Sequence, residues 1–188
     1  MMSVPGIMGG MQVDIATPPL FRETQRFRQW FFYLPIAAVT VIVWWIFVQQ
    51  VILGHPQGSN PVPGWLAWVL TMVFGFGFPA FAAIVRVVTE VRPGQLNVRL
   101  YPFPPRTIPV SSIREASVRH YSPLGEFGGW GMRINKRSGR AYNAYGNMGV
   151  QLVLSDGARV LVGSQQSEEL LTALRQAGGG FGSPGSVR

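Results

Sequence analysis

The sequence predicts a membrane-anchored α+β protein: a two-helix transmembrane hairpin, then a small antiparallel β barrel or sandwich with a C-terminal capping helix. Three observations carry this. Two long apolar runs, Phe31–Val48 and Trp65–Val85, contain no charged residue. After Val85 the chain changes to short alternating runs punctuated by glycine and proline. The last regular stretch, Ser167–Gln176, has helical apolar spacing, with its acids in the first turn.

The apolar runs come first. At about 1.5 Å per residue each covers close to 30 Å, the thickness of a bilayer's hydrocarbon core, which places helices at about 30–53 and 63–88. Arg22, Arg26 and Arg28 precede the pair and Arg86, Arg92 and Arg99 follow it, whereas the connector Gly54–Gly64 holds neither lysine nor arginine. The positive-inside bias then puts both termini in the cytoplasm of a multi-pass protein. Trp30, Phe31, Phe32 and Tyr33 mark the inner edge, Trp65 and Trp68 the outer. Thr71, Gly75, Pro79 and Ala83 recur every four residues and predict a small-residue face packing on Ala37 and Ala38 of the first helix. Pro79 removes a backbone donor and predicts a kink. Neither span carries an ionisable residue, which speaks against a proton relay or ion path.

With 188 residues, 47% of them hydrophobic, the chain has room for the hairpin and one small domain. The expected division is an N-terminal tail (1–20), the hairpin (21–88), a cytoplasmic β domain (89–177) and a C-terminal tail (178–188). The tail lacks a basic stretch followed by an apolar core, so it does not read as a cleavable signal peptide. Phe21–Gln29 reads as the foot of the first helix. The formal charge of +8 is carried by arginines with Lys136 as the lysine, scattered and without a recognition motif, so nucleic acid is not an expected partner. Absence of cysteine excludes disulfides, thiolate metal sites and cysteine nucleophiles.

Within the β domain, Arg86–Val91 and Gln95–Tyr101 flank the turn Arg92-Pro93-Gly94 and read as a hairpin. Ile113–Tyr121, Gly129–Asn135 and Arg140–Tyr145 are further strands, and Val150–Leu154 with Arg159–Val162 form a hairpin over Ser155-Asp156-Gly157. Ser167 reads as the N-cap of the closing helix, whose stripe is Leu170, Leu171 and Leu174. This gives about seven strands and a helix.

That arrangement resembles the pleckstrin-homology superfold. The stretch from Phe21 to Gln176 is more specifically similar to a family of bacterial inner-membrane proteins that pair two transmembrane helices with a cytoplasmic pleckstrin-homology-like domain. The resemblance is carried by Thr89-Glu90-Val91 running into Leu96-Asn97-Val98, and by Ile108-Pro109-Val110-Ser111-Ser112-Ile113. Tyr121-Ser122-Pro123-Leu124, Gly128-Gly129-Trp130-Gly131 and Gln151-Leu152-Val153-Leu154-Ser155-Asp156-Gly157 extend it. It implies an interaction scaffold and transfers no catalytic residue.

A search for chemistry returns absences: no GxxxxGK[ST], GxSxG, HExxH or EF-hand pattern, and neither His55 nor His120 has a carboxylate or second histidine at ligand spacing. No catalytic residue, metal site or cofactor is expected. Three surfaces remain as binding candidates. The loop Ser122–Gly131 offers Leu124, Phe127 and Trp130 as partner anchors, with barrel core as the other reading of Trp130. Tyr142 and Tyr145 make a polar–aromatic edge. Lys136, Arg137 and Arg140 share one turn and suit anionic lipid headgroups. The expected function is a non-catalytic accessory or scaffold subunit of a larger inner-membrane assembly, with other membrane subunits and lipids as partners. The alternative is a homo-oligomeric module that binds or senses anionic lipid at the membrane surface.

Overall fold

The computed structural model describes residues 18–55, 61–135, 139–178 and 180–181. Its first regular element is a strand, β1 (Phe21–Arg26), where the sequence suggested the foot of a helix. Helix α1 (Trp30–Ile52) and helix α2 (Gly64–Ile84) follow, both long and apolar enough to span a membrane. Val85 then leads directly into β2 (Arg86–Arg92), so α2 stops four residues short of the expected boundary at 88. β1 and β2 are antiparallel neighbours, with Phe21 opposite Val91 and Arg26 opposite Arg86. The helix pair is thus an insertion between two hydrogen-bonded strands, and both helices leave the sheet from the same end.

Antiparallel strands β3 (Gln95–Tyr101) and β4 (Arg106–Pro109) complete a four-stranded sheet in the order β1-β2-β3-β4. A second sheet contains β5 (Ile113–His120), β6 (Gly131–Asn135), β7 (Gly139–Asn143), β8 (Met148–Leu154) and β9 (Arg159–Gly163), ordered β5-β8-β9-β7-β6. A short helix, α3 (Pro123–Phe127), joins β5 to β6, and α4 (Ser167–Gln176) closes the domain. The domain is therefore two β-sheets with a C-terminal helix. It departs from the expected all-antiparallel arrangement at one place, because β7 pairs with β9 in parallel. β1 and β4 are additional to the strands that the sequence predicts.

The core fills the space between the sheets. Val87, Val91, Leu96, Val98 and Ile108 meet Ala116, Val150, Leu152, Val160 and Val162, and Leu170, Leu171 and Leu174 of α4 pack against both sets. β1 escaped recognition because its inward positions are Phe21, Glu23 and Gln25, so polarity does not alternate. The buried acid has a full set of donors. Glu23 Oε1 accepts from Gln25 Nε2 and the Gln165 N–H, each at 2.9 Å, and Oε2 accepts from Ser164 Oγ at 2.5 Å. Gln25 Nε2 also donates to the Gly163 carbonyl at 3.0 Å. Buried polar groups are tolerated when hydrogen-bonded in this way, and here they tie β1 to the start of α4. The other end of α4 is tied to the β2–β3 turn, where the Gly94 N–H donates to the Ala177 carbonyl at 2.9 Å. Ser167 is the first helical residue and donates its hydroxyl to the Ser164 carbonyl, so it is not the cap the sequence suggested.

The two long helices pair through a proline-dependent device. The backbone of α2 widens to π spacing over Thr71–Gly77, just before Pro79. Residue 79 has no N–H to give, which strips the carbonyl of Gly75 at α spacing and that of Phe74 at π spacing. Side chains one turn apart on α1 supply both donors: Thr40 Oγ1 to the Phe74 carbonyl at 3.2 Å and Trp44 Nε1 to the Gly75 carbonyl at 3.4 Å. Trp44 also meets Phe76 edge-on at 5.1 Å, and Phe47 meets Trp68 at 4.7 Å. Thr71 and Gly75 lie in the buried face, with Pro79 half-buried. Ala83, Ala37 and Ala38 do not: all three are exposed. A strict four-residue repeat drifts around an α-helix of 3.6 residues per turn, so Ala82, seven residues beyond Gly75, takes the buried place. On α1 the side chains of Thr40, Trp44 and Phe47 do the packing.

Candidate functional site

The joint between helices and sheets is closely packed. Phe27 is buried and stacks on Phe32 with ring centroids 4.9 Å apart, and Tyr33 donates its hydroxyl to the Phe27 carbonyl at 2.6 Å. Gln29 Nε2 donates to the Ala144 carbonyl at 2.9 Å, which fixes the first turn of α1 to the loop after β7. Phe31 lies 5.4 Å from Trp130, and Arg28 sits 5.6 Å above the Tyr145 ring.

These contacts relocate the sequence-predicted partner residues. Trp130 is half-buried and lies against the root of α1, so the chain's own helix covers it. Tyr145, 40% exposed, has Arg28 on it. Tyr142 is buried in the main core. Phe127 is not an exposed loop anchor: it is 7% exposed and packs with Tyr121, Ala141 and Leu161 in a second, smaller cluster. Leu124, 65% exposed, stands free on α3. α3 is a real turn of helix, capped by Ser122 Oγ, which accepts from the Gly125 N–H at 3.1 Å. Gly128 at φ 70 ends it in the left-handed conformation that glycine permits.

Alternation assembles a different site on the outer face of the four-stranded sheet. In a strand every second side chain shares a face. With Val87, Thr89 and Val91 turned inward, β2 presents Arg86, Val88, Glu90 and Arg92 outward. β3 correspondingly presents Gln95, Asn97, Arg99 and Tyr101, and β1 adds Arg22. Together they line a groove of about 410 Å3 carrying four arginines against one glutamate. Glu90 is held by Arg92 at 2.5 Å. Tyr101 lies opposite Arg86 and lies within cation–π distance of two guanidiniums, Arg86 at 4.9 Å and Arg99 at 4.7 Å. The groove begins where α2 ends.

A profile of a protein family of unknown function, DUF6141, matches residues 14–181. The chain belongs to this family. A search of curated proteins returns no match. The DUF6141 match runs from before β1 to beyond α4, so the helix pair, the packed joint, the groove and both sheets all lie inside it.

Elsewhere in the DUF6141 chain the remaining candidates separate. Lys136 and Arg137 lie outside the described residues. Arg140 lines another groove of about 410 Å3 with Arg106 and Arg159. It is the second residue of β7, whereas Ala144, beyond the strand's far end, is the residue that touches the root of α1. In the sequence the arginines of the outer-sheet groove show only as charges flanking the apolar runs, a topology signal. Once Pro93-Gly94 is taken as a two-residue turn, pairing outward from it sets Arg86 against Tyr101.

Two groups near α3 have displaced acidities. Burial pushes the Tyr121 phenol above 10.0, against the opposing pull of Asn143 and Arg119. Burial alone would also raise Glu126, but the Ser122 N–H and the Arg119 guanidinium outweigh it and hold the carboxyl below 4.5. Arg119 reaches Glu126 at 2.9 Å. Among the described residues no three His, Asp or Glu side chains come together as a metal site.

Proposed function

We propose that this protein is a non-catalytic accessory or scaffold subunit of a larger assembly in the bacterial inner membrane. In this reading α1 and α2 cross the bilayer as a hairpin, with both termini and the β domain in the cytoplasm. The observation that supports it best is the joint. Phe27, Arg28 and Gln29 are the whole connection from β1 to α1, and Val85 alone connects α2 to β2. Such short, packed connections make the helices and the domain move together, so helices docked on partner helices would set the position of the domain. The outward faces of the helices, including Ile42, Trp45, Met72 and Phe76, are exposed apolar surface suited to lipid or neighbouring helices. The arginines at the helix roots and the connector without lysine or arginine support the orientation.

The test is native purification of the full chain in mild detergent. Comigration with unlike membrane subunits in a near-fixed ratio is the expected result. Recovery of the chain alone, or only with copies of itself, overturns the scaffold reading. A second reading, a membrane-surface module for anionic lipid, is favoured by the four-arginine groove at the root of α2.

A further inference from the structure

We infer that the outer face of β2 and β3, centred on Arg86, Arg99 and Tyr101, is a built site for the phosphate of an anionic phospholipid headgroup. This deepens the lipid-surface reading above and rests on α1 and α2 crossing a bilayer. The two guanidinium carbons lie 4.9 and 4.7 Å from the centroid of one ring, that of Tyr101. Among the described residues each buried Nε has no hydrogen-bond partner and neither arginine has a carboxylate. Two cations held over the same ring repel unless an anion shares them. Guanidinium forks match phosphate oxygens two at a time, and their planes stack on aromatic rings. The carboxylate that could have neutralised the groove, Glu90, is taken by Arg92 at 2.5 Å.

Position selects the source of the phosphate. Arg86 is the second residue after α2, and Tyr101 lies opposite it across the sheet. Beyond Tyr101 the chain enters the loop 102–105, at the end of the sheet from which both helices leave. Phe103 at the loop's centre is 50% exposed, between prolines that are also exposed. An exposed ring beside paired cations at a helix root fits a bilayer interface, where aromatics sit among headgroups and arginines contact phosphate. A site for free phosphate has no use for that ring.

The experiment uses the full chain in mild detergent, offered equal amounts of phosphatidylglycerol and phosphatidylcholine, with retained lipid counted by native mass spectrometry. Wild type is expected to retain phosphatidylglycerol preferentially. R86Q/R99Q should lower that retention roughly 30-fold, about fivefold per cation lost near an anionic headgroup. R86K/R99K keeps the charge and protects the fold, yet should fall between the two because the fork geometry is lost. F103S should lower retention without touching the cations. Equal retention of both lipids, or retention by R86K/R99K equal to wild type, overturns the built site. Displacement of the lipid by millimolar inorganic phosphate would show a free-anion site and overturn the lipid assignment. Bilayer crossing is read separately, by whether alkaline carbonate releases the chain from membranes, so its failure is distinguishable from failure of the site.

Discussion

Arg26 stands directly opposite Arg86 across β1 and β2, so the last strand residue before the helix pair and the first after it are neighbours. Whatever α1 and α2 cross, they must enter and leave it on one side. The cysteine-free chain makes this easy to read. With single cysteines introduced, Ser59→Cys in the connector should react with an impermeant thiol reagent added outside. Ser155→Cys, in the exposed β8–β9 turn, should react only after permeabilisation. Labelling of both from the same side would remove the hairpin.

The same register redraws the domain. A fragment of residues 89–177 lacks β1 and the start of β2, and with them the Glu23 network that holds α4. It should fail to give a cooperative melt. A chain that joins Phe27 to Val85 through a short Gly-Ser linker should melt cooperatively, because paired strands lie only about 5 Å apart. Cooperative melting by the shorter fragment would show that β1 is dispensable.

Phe127 and Leu124 should respond oppositely to truncation. Phe127→Ala opens a cavity among Tyr121, Ala141 and Leu161 and should cost about 3 kcal/mol of stability. Leu124→Ala, on an exposed side chain, should change stability by less than about 0.5 kcal/mol. Thermal melts of the two variants check this, and equal effects would contradict the burial.

Helix pairing should depend on Gly75. A Cβ there would come within 3.0 Å of Trp44 Nε1 and 3.2 Å of Thr71 Cγ2. Gly75→Leu should push Trp44 away and leave the carbonyl freed by Pro79 without its donor, at a cost of about 1–2 kcal/mol within a membrane. Trp44→Phe should reproduce the lost bond while keeping most of the packing. Crosslinking between cysteines on α1 and α2 would report both, and unchanged yields would show that the indole bond contributes nothing.

The shifted acidities set a pH window. Glu126 titrates below 4.5 in the folded chain, so the folded state holds fewer protons than the unfolded one as the pH falls past that value. Its contribution is complete above the unfolded pKa and is lost as pH falls through the folded one. Tyr121 works at the other limit: its neutral form is favoured by burial, so that contribution is lost as pH rises beyond 10.0. Melting temperatures across pH should fall at both ends. Glu126→Gln should flatten the acid side alone.

Much of the fold could be read from the chain because its cues are local. The hairpins β2–β3 and β8–β9 follow from alternation around short turns, and α4 from its leucine stripe. β1 stayed hidden because its core-facing acid is satisfied by groups more than a hundred residues away, at Ser164 and Gln165. The candidate site was less legible. Phe127 and Trp130 look alike in sequence, and only the distant Leu161 and Phe31 show that one is core and the other lies against a helix root. Arg86 and Arg99 were visible as flanking charges, but the face they share becomes apparent only from strand register.

The split position of β1 also dictates an order of assembly. β1 is synthesised before either helix, and the strand it must pair with only after both. The intervening hairpin is a long loop to close, and loop-closure entropy opposes the two strands finding each other. Pairing of α1 with α2 brings Phe27 and Val85 back together and removes much of that cost. Maturation of the β domain therefore waits on the helices, and a chain whose helices fail to pair presents an incomplete sheet with an unpaired edge on β2.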